Sequence, residues 1–259
     1  MAVLLSILLV MGLATSATAK EGEAMVRVLH LSPQVGAVDV EVDGKALLSA
    51  VPFKAASSYR RVPAGTHTLA VRPPSSASPA SVRASVRAGA AYTVVALGGA
   101  AGLEAFVVKD DFSAPPPGKA RLRIINGAPQ SPPLDIGTAG GPVLFENVAF
   151  GKVSPFVAVP AGSLSLEARM AGTSRVLFSQ GASRLPAGTI LTVAGTVSGS
   201  GAIEMVPIVD AAGARSLPRG GVATGAGGTA GPRPPAPWLA GLILLLGTAA
   251  AARRRPGRS

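Results

Sequence analysis

The chain reads RVLHLSPQ at residues 27–34 and RIINGAPQ at residues 123–130, and these two stretches align at an offset of 96 residues. Further matches follow in the same order: Val38-Asp39-Val40 with Leu134-Asp135-Ile136, Val62-Pro63-Ala64-Gly65 with Val159-Pro160-Ala161-Gly162, and Thr93-Val94 with Thr192-Val193. The offset drifts from 96 to 99 along these matches. Several matches in one order indicate an internal duplication, whose unit is too long for a solenoid repeat and has the size of a whole β-sandwich domain.

Each repeat is predicted to consist of short strands. Residues 38–43 alternate three valines with Asp39, Glu41 and Asp43, as in a strand with one buried face, and Asp43-Gly44 then predicts a tight hairpin turn. Glycine (32 residues) and proline (23 residues) are frequent, which suits turns between many strands. Further strands are predicted at residues 26–31, 66–72, 92–97 and 103–108, and at residues 121–125, 164–170, 175–178, 190–197 and 203–209.

The fold class that follows is all-β, with two tandem immunoglobulin-like β-sandwich domains at residues 25–112 and 119–210. Residues 113–118 (SAPPPG) form a short, Pro-rich linker, which is expected to restrict the relative orientation of the two domains.

The residues that the repeats share also carry a family resemblance. Arg27, Leu29-His30, Ser32-Pro33, the Val38–Gly44 stretch, Pro52-Phe53, Tyr59 and Pro63-Ala64-Gly65 follow one another in order. This pattern resembles the bacterial domain-of-unknown-function family numbered 4397, and the resemblance covers residues 25–210. It implies an extracellular β domain that occurs in tandem on secreted or anchored proteins, and it implies no biochemical activity.

The two ends of the chain are predicted to be targeting segments. Residues 1–19 combine an apolar run with the small-x-small site Ala17-Thr18-Ala19, which is typical of a cleaved signal peptide. Residues 238–252 are uncharged and predicted to form a short transmembrane anchor, and the arginine-rich tail at residues 253–259 is expected on the cytoplasmic side. Residues 211–237, rich in Gly and Pro, are predicted to be a linker that lifts the domains off the membrane.

This order of linker, apolar segment and basic tail resembles the C-terminal sorting signals of Gram-positive surface proteins. Those signals carry a Leu-Pro-x-Thr-Gly or Leu-Ala-x-Thr-Gly motif. The nearest match is Val222-Ala223-Thr224-Gly225, which lacks the leading Leu and is one residue short, so both sortase processing and an ordinary linker threonine stay open.

Charge and composition argue against several classes of protein. The net charge is +11, but six arginines from Arg219 onward supply much of it, so the central part of the chain is only mildly basic. No basic stripe interleaved with aromatic residues is present, so no nucleic-acid partner is expected. The chain has no cysteine, which excludes disulfides and thiol chemistry. The arginines of the repeats are expected on solvated strand faces: Arg27, Arg60, Arg61, Arg72, Arg83, Arg87, Arg121 and Arg123.

We predict no catalytic, cofactor-binding or metal-binding residues. His30 and Ser32 alternate on a strand, but the second repeat has Asn126 and Ala128 there, so a turn-stabilising polar cluster is expected. Asp39, Glu41 and Asp43 lack the looped spacing of a Ca²⁺ site and are expected on a solvent face. The duplication keeps Asp39 as Asp135, which predicts a structural carboxylate that accepts backbone N–H groups in the loop after Ser32-Pro33.

Three further features complete these expectations. Asp110-Asp111 resembles a capped strand end with no evident partner, and His67 is expected at the surface. Tyr59 and Phe156 occupy equivalent positions and are expected to pack in the core or against a turn.

The sequence therefore predicts a non-enzymatic, membrane-anchored display or adhesion protein of the cell surface, with no cofactor. Its expected partners are the membrane and a cell-wall polymer or an extracellular protein. Two alternatives stay open, namely an anchored hydrolase of extracellular polymers and a purely structural spacer. With two Tyr, seven Phe and one Trp, the chain is poor in the aromatic residues that carbohydrate platforms use.

Overall fold

A computed structural model describes residues 22–74, 78–99 and 102–212. Within these ranges the chain contains sixteen strands and no helix, so the all-β prediction is confirmed. The strands are β1 Glu23–His30, β2 Val38–Val42, β3 Lys45–Val51, β4 Arg60–Pro63, β5 Gly65–Arg72, β6 Ala80–Val86, β7 Ala91–Gly99, β8 Gly102–Asp110, β9 Lys119–Asn126, β10 Leu134–Thr138, β11 Val143–Val148, β12 Val157–Pro160, β13 Gly162–Met170, β14 Val176–Leu185, β15 Thr189–Val197 and β16 Ile203–Ala212.

Each repeat forms two four-stranded sheets with the same topology. The first repeat has the strand orders β4-β1-β7-β8 and β3-β2-β5-β6, and the second has β12-β9-β15-β16 and β11-β10-β13-β14. The central pair of one sheet is parallel in each repeat: β1 pairs with β7, and β9 with β15. The other pairs are antiparallel.

The four sheets lie in four layers. The sheet that contains β1 and the sheet that contains β9 are the two central layers, and both are buried on two faces. On one face of β1, Val26 and Val28 pack into the core of the first repeat. On the other face, Leu29 joins Ile125 and Ile208 in a cluster that contains residues of both repeats. A strand buried on two faces has a nearly continuous apolar sequence, and β1 and β9 share the same burial pattern, with every residue from the fourth onward buried.

The contacts between the two repeats show how the central sheets are aligned. Arg27 in β1 meets Asp210 near the end of β16, and Leu31, just beyond β1, accepts a hydrogen bond from Thr196 near the end of β15. The strands β1 and β9 therefore run in the same direction. The starts of β1 and β9 and the ends of β8 and β16 lie together at what we call the entry end, and the loops that follow β1 and β9 lie at the opposite, loop end.

The predicted turn at Asp43-Gly44 agrees with the structure. Asp43 and Gly44 both have positive φ angles, 51° and 76°, between β2 and β3, as a type I′ hairpin turn requires. The Pro-Ala-Gly stretches at residues 63–65 and 160–162 join β4 to β5 and β12 to β13. The sequence missed β3, β4, β6, β10, β11 and β12, which are short or lie at sheet edges.

Several sequence predictions lie outside the described residues. They are the signal peptide at 1–19, the linker beyond residue 212, the anchor at 238–252, the basic tail at 253–259 and the motif at 222–225. Among the residues that the structure does describe, no helix is long and apolar enough to cross a membrane.

Candidate functional site

Two arginines and two aspartates meet in the buried contact between the repeats. Arg27 lies in β1 and Arg123 at the equivalent position of β9, while Asp110 ends β8 and Asp210 lies near the end of β16. All four are buried, with exposed fractions of 4%, 2%, 6% and 7% in that order. Charged side chains are rarely buried unless they are paired, so their partners decide what this cluster does.

The ion pairs cross from one repeat to the other. Arg27 Nη2 donates to Asp210 Oδ1, and Arg123 Nη2 donates to Asp110 Oδ1 at 2.5 Å. Each arginine also lies 3.9 Å from the aspartate of its own repeat. The arrangement is reciprocal, as in an isologous interface, where each surface offers the same groups to the other.

Two threonines complete the hydrogen bonding of the cluster. Arg27 Nε donates to Thr93 Oγ1 at 2.9 Å, and that hydroxyl donates to Asp110 Oδ2 at 2.7 Å. In the second repeat Arg123 Nε donates to Thr192 Oγ1 at 2.7 Å, which donates to Asp210 Oδ2 at 2.5 Å. Each threonine therefore joins the arginine and the aspartate of one repeat, while the ion pairs join the repeats to each other.

An aromatic ring covers each arginine. The Arg27 guanidinium lies 4.8 Å from the centroid of the Tyr59 ring, and the Arg123 guanidinium lies 4.8 Å from that of Phe156. Tyr59 also donates its hydroxyl proton to Asp110 Oδ2 at 2.8 Å. Tyr59 and Phe156 thus pack at equivalent positions, as expected. The sequence did not reveal that each ring packs against an arginine.

The electrostatics of the cluster favour the charged form of Arg27. Burial lowers the pKa of a guanidinium, but the charges of Asp210 and Asp110 outweigh this effect and raise the pKa of Arg27 above its ordinary value. Burial raises the pKa of Tyr59, so its phenol remains a neutral hydrogen-bond donor. The charged groups are therefore paired with one another and not presented to solvent.

Apolar and polar contacts surround the cluster. The shared apolar cluster is made of Leu29, Leu31, Val95, Leu97, Ile125, Ala194, Val206 and Ile208. Lys54 of the first repeat pairs with Glu204 of the second near the loop end. Just before the linker, Asp111 accepts hydrogen bonds from Arg121 at 2.6 Å and from the Ser113 hydroxyl at 2.6 Å, which lowers the pKa of Asp111. These contacts make the arrangement a device for holding the two repeats together.

The family model "Domain of unknown function (DUF4397)" matches the chain twice, at residues 24–137 and 124–219. The chain belongs to the DUF4397 family. The two matches support the tandem arrangement that the duplication predicts. No curated protein matches the chain.

The cross-repeat pairs of this DUF4397 protein correct two sequence predictions. Arg27 and Arg123 were expected on a solvated face, and they are buried because both central sheets are covered on two sides. Asp110 and Asp111 were expected to lack a partner. Asp110 contacts Arg123, Thr93 and Tyr59, and Asp111 pairs with Arg121. The remaining arginines of that prediction are exposed or half-buried: Arg60, Arg61, Arg72, Arg83, Arg87 and Arg121.

A signal for the cluster was present in the duplication. Arg27 and Arg123 are equivalent, as are Thr93 and Thr192. Asp110 and Asp210 lie at or near the end of the last strand of their repeat. A charged residue that both repeats keep inside a nearly continuous apolar strand indicates a buried pair. The reciprocal geometry could not be read from one repeat alone.

His30 and Ser32 stabilise the turn after β1, as predicted. The ring Nε2 of His30 donates to the Gly36 carbonyl at 2.7 Å, and Nδ1 accepts the Ser32 N–H at 3.4 Å. Burial lowers the pKa of His30, which favours this neutral ring. In the second repeat Asn126 has the same role, because its side-chain oxygen accepts the Ala128 N–H at 3.1 Å.

Asp39 and Asp135 are structural carboxylates, but they act in a different loop from the one predicted. Asp39 accepts the N–H of Ala50, and Asp135 accepts that of Asn147, both at 2.7 Å. Ala50 and Asn147 have φ angles of 52°, and the pairing between the flanking strands shifts register there. Each carboxylate thus stabilises a β-bulge in the next strand, not the loop after Ser32-Pro33.

The other acidic residues of β2 form pairs at the surface. Glu41 pairs with Arg72, and Asp43 with His67, which is partly exposed. The hydrogen bond from His67 lowers the pKa of Asp43. Among the described residues, no group of three or more His, Cys, Asp and Glu side chains could hold a metal ion.

Proposed function

We propose that this DUF4397 protein is a non-enzymatic surface protein, anchored in the membrane, whose two repeats act as one rigid module for display or binding. The observation that supports the proposal best is the reciprocal pairing of Arg27 with Asp210 and of Arg123 with Asp110. Domains that move independently do not bury charged pairs in their contact, because separation would expose the apolar cluster and break both pairs.

The positions of the chain ends support a display role. The described chain begins at Gly22, just before β1, and its last described strand ends at Ala212. Arg27 and Asp210 are in contact, so both ends leave the module at the entry end. A module tethered through residues 213–237 would then point its loop end, with the β1–β2 and β9–β10 loops, away from the tether.

An extracellular protein is the partner that we favour over a cell-wall glycan. Carbohydrate-binding surfaces use exposed aromatic rings, and Tyr59 and Phe156 are instead occupied with arginines of the repeat contact. Val143 and Val176 are the large apolar side chains exposed among the described residues, and they lie in β11 and β14, the edge strands of one sheet. Protein contacts commonly use such edges.

Protease shaving of intact cells, followed by mass spectrometry of released and retained peptides, tests the proposal. We expect release of peptides from residues 25–210 and protection of the arginine-rich tail at 253–259. Lysed cells serve as the control, because all sites should be accessible there. Protection of residues 25–210 in intact cells would contradict both export and surface display.

A further inference from the structure

The second repeat contains a cavity at the entry end of its sandwich, and the first repeat has filled the equivalent space. The cavity has a volume of about 30 Å³ and is open on one side. Its walls are mainly apolar and come from Leu164, Leu185, Pro186, Leu191 and Val209. It lies between the two sheets of the repeat, since Leu164 belongs to β13 and Leu191 to β15.

One hydroxyl in the wall of this cavity has no hydrogen-bond partner. Thr189 is 2% exposed. Among the buried side-chain oxygen and nitrogen atoms of the described residues, its Oγ1 is the one without a hydrogen-bond partner. A buried polar group without a partner lowers the free energy of unfolding, because it has lost its hydrogen bonds to water and gained none in the folded chain. Such a group in a native structure requires an explanation, and a ligand that bonds to it would supply one.

The first repeat shows what is missing. At the offset of 99 residues, Tyr92 is the counterpart of Leu191. The Tyr92 ring is buried in the core of the first repeat, and its hydroxyl accepts the Arg87 N–H at 3.1 Å. The counterpart of Arg87 is Pro186, which has no N–H to donate. The second repeat has therefore lost both a phenol group and the backbone donor that bound its hydroxyl.

The surroundings have changed in the same direction. His67 of the first repeat corresponds to Leu164 by the offset of 97. Lys109 corresponds to Val209, because each pairs across the sheet with the residue at the equivalent position, Lys109 with Tyr92 and Val209 with Leu191. Two polar residues are thus replaced by apolar ones. The polar residues of the wall are Ser183, Arg184 and Thr189, where the first repeat has Ala84, Ser85 and Ala90. Of these three, Thr189 is the buried one. A mainly apolar wall with one buried polar group is the composition of a small-molecule site.

We infer that this cavity binds a small molecule with an apolar body and a single hydroxyl, such as a phenol or a short alcohol. The hydroxyl of the ligand hydrogen-bonds with Thr189 Oγ1, and its apolar body contacts Leu164, Leu191 and Val209. The enclosed part of the cavity is small, about 30 Å³, so it takes the hydroxyl end of the ligand, and the rest of the ligand occupies the open side. A water is a poor occupant, because buried waters need about two to four polar partners.

Methyl NMR of the full chain in lipid nanodiscs tests this inference, with phenol and 1-butanol as ligands and benzene as the comparator without a hydroxyl. We expect saturable shifts of the methyl groups of Leu164, Leu191 and Val209 with phenol or 1-butanol. The methyl groups of Leu69 and Val71, in the core of the first repeat, should not shift. This readout does not depend on export or on surface display.

Two variants separate the cavity from the hydroxyl. Leu191→Tyr places the missing ring in the cavity and should abolish the shifts. Thr189→Val removes the hydroxyl at nearly constant shape, and it should weaken phenol binding about fivefold while leaving benzene binding unchanged. If Leu191→Tyr does not fold, Thr189→Val decides alone. The inference is overturned if neither hydroxylated ligand shifts these methyl groups, if Leu191→Tyr leaves the shifts in place, or if Thr189→Val binds phenol as the parent chain does.

Discussion

Arg27 and Asp210 are separated by 183 positions in the sequence and form an ion pair buried between the two repeats. The mirrored pair, Arg123 with Asp110, involves residues only 13 positions apart, on either side of the linker. The same interaction thus joins the two extremes of the described chain and its middle. One ion pair joins the first described strand to the last, and the other joins the residues on either side of the linker, so the repeats have little freedom to separate.

We predict that breaking one cross-repeat pair is costly. Asp210→Asn leaves the Arg27 guanidinium buried without its main counter-charge, and we expect the free energy of unfolding to fall by about 3–5 kcal/mol. Glu23→Gln is the control, because it breaks an ion pair with Arg61 whose side chains are 53% and 57% exposed. That change should cost less than about 1 kcal/mol. Denaturant unfolding measures both, and equal effects would show that the buried pair is unimportant.

The close approach of the repeats at the loop end gives a second prediction. A Cβ added at Gly127 would lie 2.7 Å from Leu31 Cδ1 and 2.9 Å from the Gly195 carbonyl oxygen. Gly127→Ala should therefore lower the free energy of unfolding by about 1–3 kcal/mol. Gly181→Ala is the matched control, because nothing lies within 4 Å of its added Cβ. A neutral Gly127→Ala in the same unfolding experiment would mean that neither Leu31 of the first repeat nor Gly195 of the second approaches Gly127 this closely.

The turn after β1 predicts a pH dependence of stability. Burial lowers the pKa of His30 in the folded state below the ordinary value of 6.5. The unfolded chain therefore binds more protons in this range, and the free energy of unfolding should fall as the pH is lowered through about 6.5 toward the folded-state pKa. His30→Asn copies Asn126 of the second repeat and should flatten this dependence. Unfolding curves between pH 7.5 and 5 compare the two proteins, and identical slopes would rule out His30 as the cause.

The bulge beside Asp39 provides a fourth prediction. Ala50 has a φ of 52°, a left-handed conformation that costs an L-residue about 1–2 kcal/mol. Ala50→Gly removes this strain, and we expect a gain in stability of up to about 1 kcal/mol. Ala46→Gly lies in the same strand without a positive φ and should instead destabilise by about 0.5–1 kcal/mol. A loss of stability in both variants, measured by thermal or denaturant unfolding, would contradict the left-handed assignment.

The sequence predicted the repeats and most of the strands because both have local signals. The alternation in residues 38–43 and the Asp43-Gly44 turn depend on neighbouring residues, and the structure has β2 and its hairpin there. Short edge strands such as Arg60–Pro63 lack such a signal, since their residues are largely exposed. Their pairing is decided by contacts that are distant in sequence.

The contact between the repeats could not be predicted from the sequence. Arg27 lies beside apolar residues on a strand, and a strand with one covered face would expose it. Only the second covered face, which comes from the other repeat, buries it. The same reason explains Asp110, whose main partner Arg123 lies beyond the linker. Asp39 was assigned the correct kind of role in the wrong loop, because the bulge that it stabilises is invisible in the sequence pattern.

Cleavage of the linker tests the central claim, that the two repeats form one rigid module, most directly. A protease site placed within residues 114–117 of the full chain would be cut under native conditions, and the mass of the particle would be measured by light scattering after gel filtration. We expect the cut halves to remain together at the mass of the uncut chain. The same preparation with Asp110→Asn and Asp210→Asn should separate more readily. Halves of the parent chain that separate on cutting would contradict the account, because the linker alone would then hold the repeats together.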